Sequence, residues 1–118
     1  MSDDVTIYHN PRCSKSRQTL QLLEAHGVQP TVVDYLQAPP SEAELRRILD
    51  LLGVEPRAII RTDEAEYREA GLDDPNLSRA DLIRALHAHP RLIQRPIVVR
   101  GDRAALGRPP ERVLEILR

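Results

Sequence analysis

The sequence predicts an α/β fold: a four-stranded mixed sheet flanked by helices, with a helical insert between the second and third strands. Three observations lead there. The opening segment reads strand–helix–strand, and a crossover of that length implies a parallel pair. The middle of the chain, about 41–90, carries only helical patterns. The closing segment reads strand–turn–strand–helix, which adds two more strands after the insert. Together they give β-α-β, an insert, then β-β-α.

Each element has its own local reason. The run VTIY at 5–8 reads as a short strand ended by the Asn10-Pro11 turn signal. From residue 14 to about 25 the pattern turns helical, with Leu20 and Leu23 on one face and Gly27 placed to end it. TVVDY at 31–35 is the second strand. Pro39-Pro40 then breaks the chain, and Ser41-x-x-Glu44 has the form of a capping box. Leu45, Ile48, Leu49 and Leu52 follow at i, i+3, i+4, i+7, a helix closed by Gly53. Shorter helices are expected at about 56–61, 64–70 and 79–87, the last capped by Ser78-x-x-Asp81 and stopped by His89-Pro90. IVV at 97–99 is the third strand, Gly101-Asp102 the turn, and 104–106 the fourth strand. Pro109 suits the first turn of a final helix whose Val113, Leu114 and Leu117 share a face. A thioredoxin-like architecture has this order, and Arg95-Pro96 sits where that fold carries a cis-proline. The cis state rests on that analogy alone; the sequence by itself does not suggest it.

Composition bounds the function. With 118 residues, 41% hydrophobic and 30% charged, the chain is expected to form one globular domain, 1–118. It has no Phe and no Trp, so the core must be built from Leu, Ile, Val and Ala. A net charge of −1 offers no broad electrostatic attraction to nucleic acid or a membrane surface, and neither partner is expected. The start MSDDV lacks the basic and apolar stretches of a signal peptide, and no apolar run approaches the roughly 18 residues of a membrane span. One cysteine cannot form an internal disulfide, so the expected compartment is the cytoplasm. Lys15 is the only lysine among 17 basic residues; an arginine is informative here only by its position.

That cysteine, Cys13, lies in IYHNPRCSKSRQTL, directly after the first strand and at the start of the first helix. A helix N-terminus presents unpaired N–H groups and the positive end of the macrodipole, both favourable to an anion. Arg12, Lys15 and Arg17 add positive charge, and His9 stands four residues upstream. Each would lower the thiol pKa and raise the thiolate fraction at neutral pH. Ser16 completes Cys-x-x-Ser, and its hydroxyl is placed to donate to the sulfur. A lone cysteine is often only a small buried hydrophobe, but neighbours such as Arg, Ser and Lys do not suit a buried thiol. The same spacing excludes other chemistries. No second cysteine exists for an internal dithiol cycle. A phosphatase-type loop needs Cys-x5-Arg, and the sixth residue after Cys13 is Thr19. No cysteine–histidine pair has ligand spacing beside a third candidate, so no metal is expected. His87 and His89 read as a solvated helix end, and His26 suits a helix C-terminus.

Four separated motifs, IYHNPRCSKSR, RAIIR, LIQRPIVV and GRPPE, together resemble the glutaredoxin-coupled arsenate reductase family, in its order and spacing and through essentially the whole chain. The resemblance implies a thioredoxin-like fold and reduction of arsenate to arsenite. It places the nucleophile on Cys13, the histidine that favours its thiolate on His9, and the supporting serine on Ser16. It places three oxyanion-binding arginines on Arg61, Arg95 and Arg108. Arginine forks suit this task, offering bidentate hydrogen bonds and a charge that deprotonation cannot remove. Arg46, Arg47, Arg57, Arg84 and Arg103 are read as surface residues.

The resemblance further implies glutathione as co-substrate and glutaredoxin as partner, with no bound cofactor; an outside thiol answers the absence of a resolving cysteine. Two other readings share the fold. A glutathione-dependent thiol reductase would use Cys13 without needing all three arginines. A regulator like the Spx proteins, which bind the RNA polymerase α subunit, typically carries Cys-x-x-Cys here, and Ser16 argues against that switch. A monomer is the default expectation.

Overall fold

The computed structural model describes residues 4–117. Its elements are β1 (Val5–His9), α1 (Ser14–Ala25), β2 (Thr31–Asp34), α2 (Glu42–Leu52), α3 (Ala65–Glu69), α4 (Arg79–Ala88), β3 (Ile97–Arg100) and β4 (Arg103–Leu106). Three 3₁₀ segments join them, Pro56–Ile59, Pro90–Leu92 and Pro110–Leu117. The strands form one sheet in the order β2-β1-β3-β4. β1 runs parallel to β2 and antiparallel to β3, and β3 pairs antiparallel with β4. This is the thioredoxin-like mixed sheet expected from the sequence, with the helical insert between β2 and β3.

The chain divides into two compact units: residues up to Ala38 together with those from Arg95 onward, and the insert Pro39–Gln94. In the first unit, β1 alternates buried and half-buried positions, so Val5, Ile7 and His9 share one face. The strand runs one residue further than its VTIY core, and that residue carries His9 onto the inner face. β3 is buried at Ile97, Val98 and Val99, as suits a central strand of the sheet. Val5, Ile7, Leu23, Val98, Ala105, Val113 and Ile116 form the aliphatic core. α1 and the terminal 3₁₀ helix pack on each other, and the latter also covers β4.

In the insert, α4 packs on α2 and on the 3₁₀ segments Pro56–Ile59 and Pro90–Leu92. Both capping boxes form: Ser41 Oγ accepts from Glu44 N–H at 3.1 Å and Ser78 Oγ from Asp81 N–H at 3.1 Å. Gly53 ends α2 in the left-handed region at φ 68°, where a side chain would be strained.

The differences from expectation are local. Pro109 does not open the last helix: it follows a cis Arg108–Pro109 bond, and Pro110, which lacks an N–H to satisfy, takes the first position. That helix is 3₁₀ over its whole length. Residues 56–61 make one 3₁₀ turn of four residues, and a further 3₁₀ turn at Pro90–Leu92 follows α4. The Arg95–Pro96 bond is cis, as the architecture suggested.

Candidate active site

The loop between β1 and α1 is a tight turn built by its own residues. Asn10 C=O accepts from Cys13 N–H at 3.0 Å, with Pro11 preset at the second position of the turn. Asn10 Oδ1 also accepts from Arg12 N–H at 2.9 Å. Cys13 therefore arrives in extended conformation as the N-cap of α1. Its sulfur occupies the place where a capping oxygen would meet the N–H groups of the first turn. The Cys13 side chain closes no cap hydrogen bond, and no acidic residue stands in that first turn to compete for the N–H groups. The half-buried thiol is thus presented to anion-favouring backbone.

Burial acts first on this thiol, and it opposes ionisation. The Ser16 N–H, a hydrogen bond and the charge from the Arg95 guanidinium, and the Lys15 N–H together outweigh it, leaving the pKa below its ordinary value of 9.0. The thiolate is favoured mainly by backbone donors and one arginine.

His9 and Ser16 stand differently from the sequence expectation. Ser16 is fully buried, and its Oγ lies 2.6 Å from His9 Nδ1 and accepts from Asn10 N–H at 3.0 Å. Its hydroxyl is engaged with the histidine and the turn, while its backbone N–H is among the groups that lower the Cys13 pKa. His9 is 7% exposed, and burial lowers its pKa below 6.5; Asp34, its register partner on β2, pulls the other way, and Arg17 adds to the lowering. A neutral imidazole results, acting on the loop through Ser16.

Arg95 and Arg108 are brought together. Arg108 Nη1 donates to the Arg95 carbonyl at 3.0 Å, and Gly107 N–H donates to the Pro96 carbonyl at 2.9 Å. Arg95 Nε is buried and makes no hydrogen bond. Among the described residues no carboxylate pairs with Arg95 or Arg108. Arg61 belongs to the insert and is committed locally: Nη2 lies 3.1 Å from Asp63, Nε 3.7 Å from Glu64, and Nη1 donates to Gln94 Oε1 at 3.2 Å.

The remaining three histidines and Arg57 make local structural contacts. His26 Nδ1 lies 3.0 Å from Leu22 O, His87 Nδ1 2.9 Å from Pro40 O, and His89 Nδ1 3.4 Å from Glu66. Arg57 is exposed as expected, yet its guanidinium ties down the loop after α3 through Tyr67 Oη and the carbonyls of Leu72 and Asp74. Among the described residues no three His, Cys, Asp or Glu side chains group as metal ligands, and no helix is long and apolar enough to cross a membrane.

A cysteine capping the first helix of a thioredoxin-like sheet, beside an arginine preceding a cis-proline, is matched by a known group of proteins. The profile of the ArsC family matches residues 8–116. The chain belongs to the ArsC family. It is 52% identical over 114 residues to an arsenate reductase of Haemophilus influenzae, covering 96% of this chain and 98% of that one. It is 51% identical over 118 residues to the uncharacterized protein YfgD of Escherichia coli, with 99% of each chain covered. The solved structure of an arsenate reductase from Vibrio cholerae superposes with a TM-score of 0.94 at 51% identity, covering 98% of this chain and 99% of that one.

Sequence reasoning missed Asn10, Thr19, Asp34 and Gly107 as parts of this region. Asn10 was legible only as half of an Asn-Pro turn signal. The others act through contacts between distant segments.

Proposed function

We propose that this ArsC-family protein reduces arsenate to arsenite, with Cys13 as nucleophile and glutathione and glutaredoxin as the reductants. The observation that carries the reading is the Cys13 thiol at the N-cap of α1, its ionised form favoured by the Ser16 and Lys15 N–H groups and by Arg95. Similarity to arsenate reductases over nearly the whole chain supports the substrate.

A tetrahedral oxyanion must approach an anionic sulfur, so fixed positive charge is the first requirement. Arg95 and Arg108, free of carboxylate partners among the described residues, are assigned to that role. Arg61 is assigned as the third oxyanion arginine on the strength of the RAIIR motif. His9 and Ser16 are assigned to holding the β1–α1 loop and its donors in place.

Cys13 thiolate attacks arsenic and a hydroxide leaves as water, giving a Cys13–S–As(V) ester. Glutathione thiolate displaces a second hydroxide from the same arsenic; that hydroxide takes a proton from solvent and leaves as water. The glutaredoxin thiolate then attacks the glutathione sulfur. A mixed disulfide forms, the As–S electron pair stays on arsenic, and As(V) becomes As(III). Hydroxide finally displaces Cys13 and arsenite leaves. The two electrons come from the glutathione and glutaredoxin thiols, and Cys13 returns as thiolate. No second cysteine of this chain is required.

The test is a coupled assay with arsenate, glutathione, glutaredoxin and an NADPH-driven recycling system. Arsenate-dependent NADPH consumption is expected from the wild type, and none from Cys13→Ser. Absence of that consumption in the wild type, with the partners shown to be active, would reject the assignment.

A further inference from the structure

At Gly107 any side chain would press into its neighbours. A Cβ there would stand 2.6 Å from Thr19 Oγ1, 2.7 Å from Pro96 Cγ and 3.2 Å from Thr19 Cγ2. Its φ is not in the left-handed region, so the need is for space and not for conformational freedom. Neither neighbour yields cheaply. Pro96 is a buried ring. Thr19 is fully buried and β-branched, with few rotamers open to it.

Thr19 is also committed: its Oγ1 donates to the Lys15 carbonyl at 2.8 Å. A threonine bonding back one turn is common in helices, but this carbonyl shares a peptide group with the Ser16 N–H. A donor on the C=O of a peptide polarises its N–H. On the other side, Gly107 N–H and Arg108 Nη1 hold the successive carbonyls of Pro96 and Arg95. Thr19 and Gly107 thus stand in contact, one tied to the peptide that serves the sulfur and one to the segment that carries Arg95.

We infer that Thr19 and Gly107 are a pair of positioning residues for the Cys13 thiolate: Thr19 fixes the Lys15–Ser16 peptide at the sulfur, and Gly107 lets the Arg95–Pro96 segment close onto Thr19. Neither touches the reacting atoms. The inference rests on the reading of Cys13 as a thiolate but not on arsenate as substrate, so the test uses no arsenate. The readout is the rate of Cys13 alkylation by iodoacetamide against pH, with thermal melting followed in parallel.

Gly107→Ala is expected to slow alkylation at neutral pH roughly fivefold and to move the profile towards alkali. Thr19→Val keeps the shape and removes the hydroxyl; it is expected to slow alkylation about twofold. Thr19→Ser keeps the hydroxyl and should retain the wild-type profile. If Gly107→Ala does not fold, the Val–Ser contrast at position 19 decides. Variants that melt earlier but keep the wild-type profile would overturn the inference, since packing alone would then explain both residues. A wild-type profile at the free-thiol position would overturn the thiolate reading and this inference with it.

Discussion

Arg95 and Arg61 each bury an Nε without a hydrogen-bond partner, yet they sit in opposite electrostatic settings. Arg95 follows the insert at the head of β3, has no carboxylate partner among the described residues, and favours the ionised form of Cys13. Arg61, with a side chain 14% exposed, is held by Asp63 and Glu64 within its own unit. One arginine keeps its charge for the reacting thiol; the other begins with its charge answered. A shared residue type therefore does not make a shared setting. Under the proposed function, Arg95 serves nucleophile and oxyanion alike, whereas Arg61 serves the oxyanion only by exchanging its carboxylate partners for it.

Substitution separates the two. Arg95→Ala is expected to lower arsenate kcat/KM about 10²–10³-fold, the scale for losing one preorganised donor to developing charge. It should also move the Cys13 alkylation profile towards alkali, because its charge and hydrogen bond both favour the thiolate. Arg61→Ala is expected to raise KM for arsenate roughly tenfold, as for a lost charge-assisted contact, and to leave the alkylation profile unchanged. A shift of that profile in Arg61→Ala would erase the distinction.

The smallest expected effect concerns stability. His9 has a folded-state pKa depressed below 6.5, chiefly by burial. Its neutral form is the native one, so its contribution is full above 6.5. As pH falls, the unfolded chain takes up the proton first, and stability is lost until the folded pKa is passed. Denaturant unfolding across mildly acidic pH should show that loss, and His9→Asn should flatten it. An identical pH dependence in the variant would contradict a buried neutral histidine.

Much of the frame was legible because its causes are local. The Ser41 and Ser78 capping boxes, the Asn10-Pro11 turn and the alternation of β1 depend on neighbours within a few residues. The position of Cys13 at the helix start could be read for the same reason. What was not legible depends on how separate elements meet. Ser16 was assigned to the sulfur through its hydroxyl, but β1 continues to His9 and carries the imidazole to that hydroxyl first. Thr19 was read only as the wrong residue for a phosphate loop, and Gly107 only as a flank of Arg108. Their meaning lies in a contact between α1 and the loop after β4, which no local pattern encodes. In GRPPE, local propensity suited Pro109 to the first turn of the final helix, whereas that helix begins at Pro110.

The most direct measurement is the ultraviolet absorbance of the Cys13 thiolate followed through a pH titration of the wild type, Arg95→Ala and Arg61→Ala. A wild-type midpoint below the free-thiol range is expected, displaced upward in Arg95→Ala and unmoved in Arg61→Ala. A wild-type midpoint at or above the free-thiol range would contradict the account at its centre.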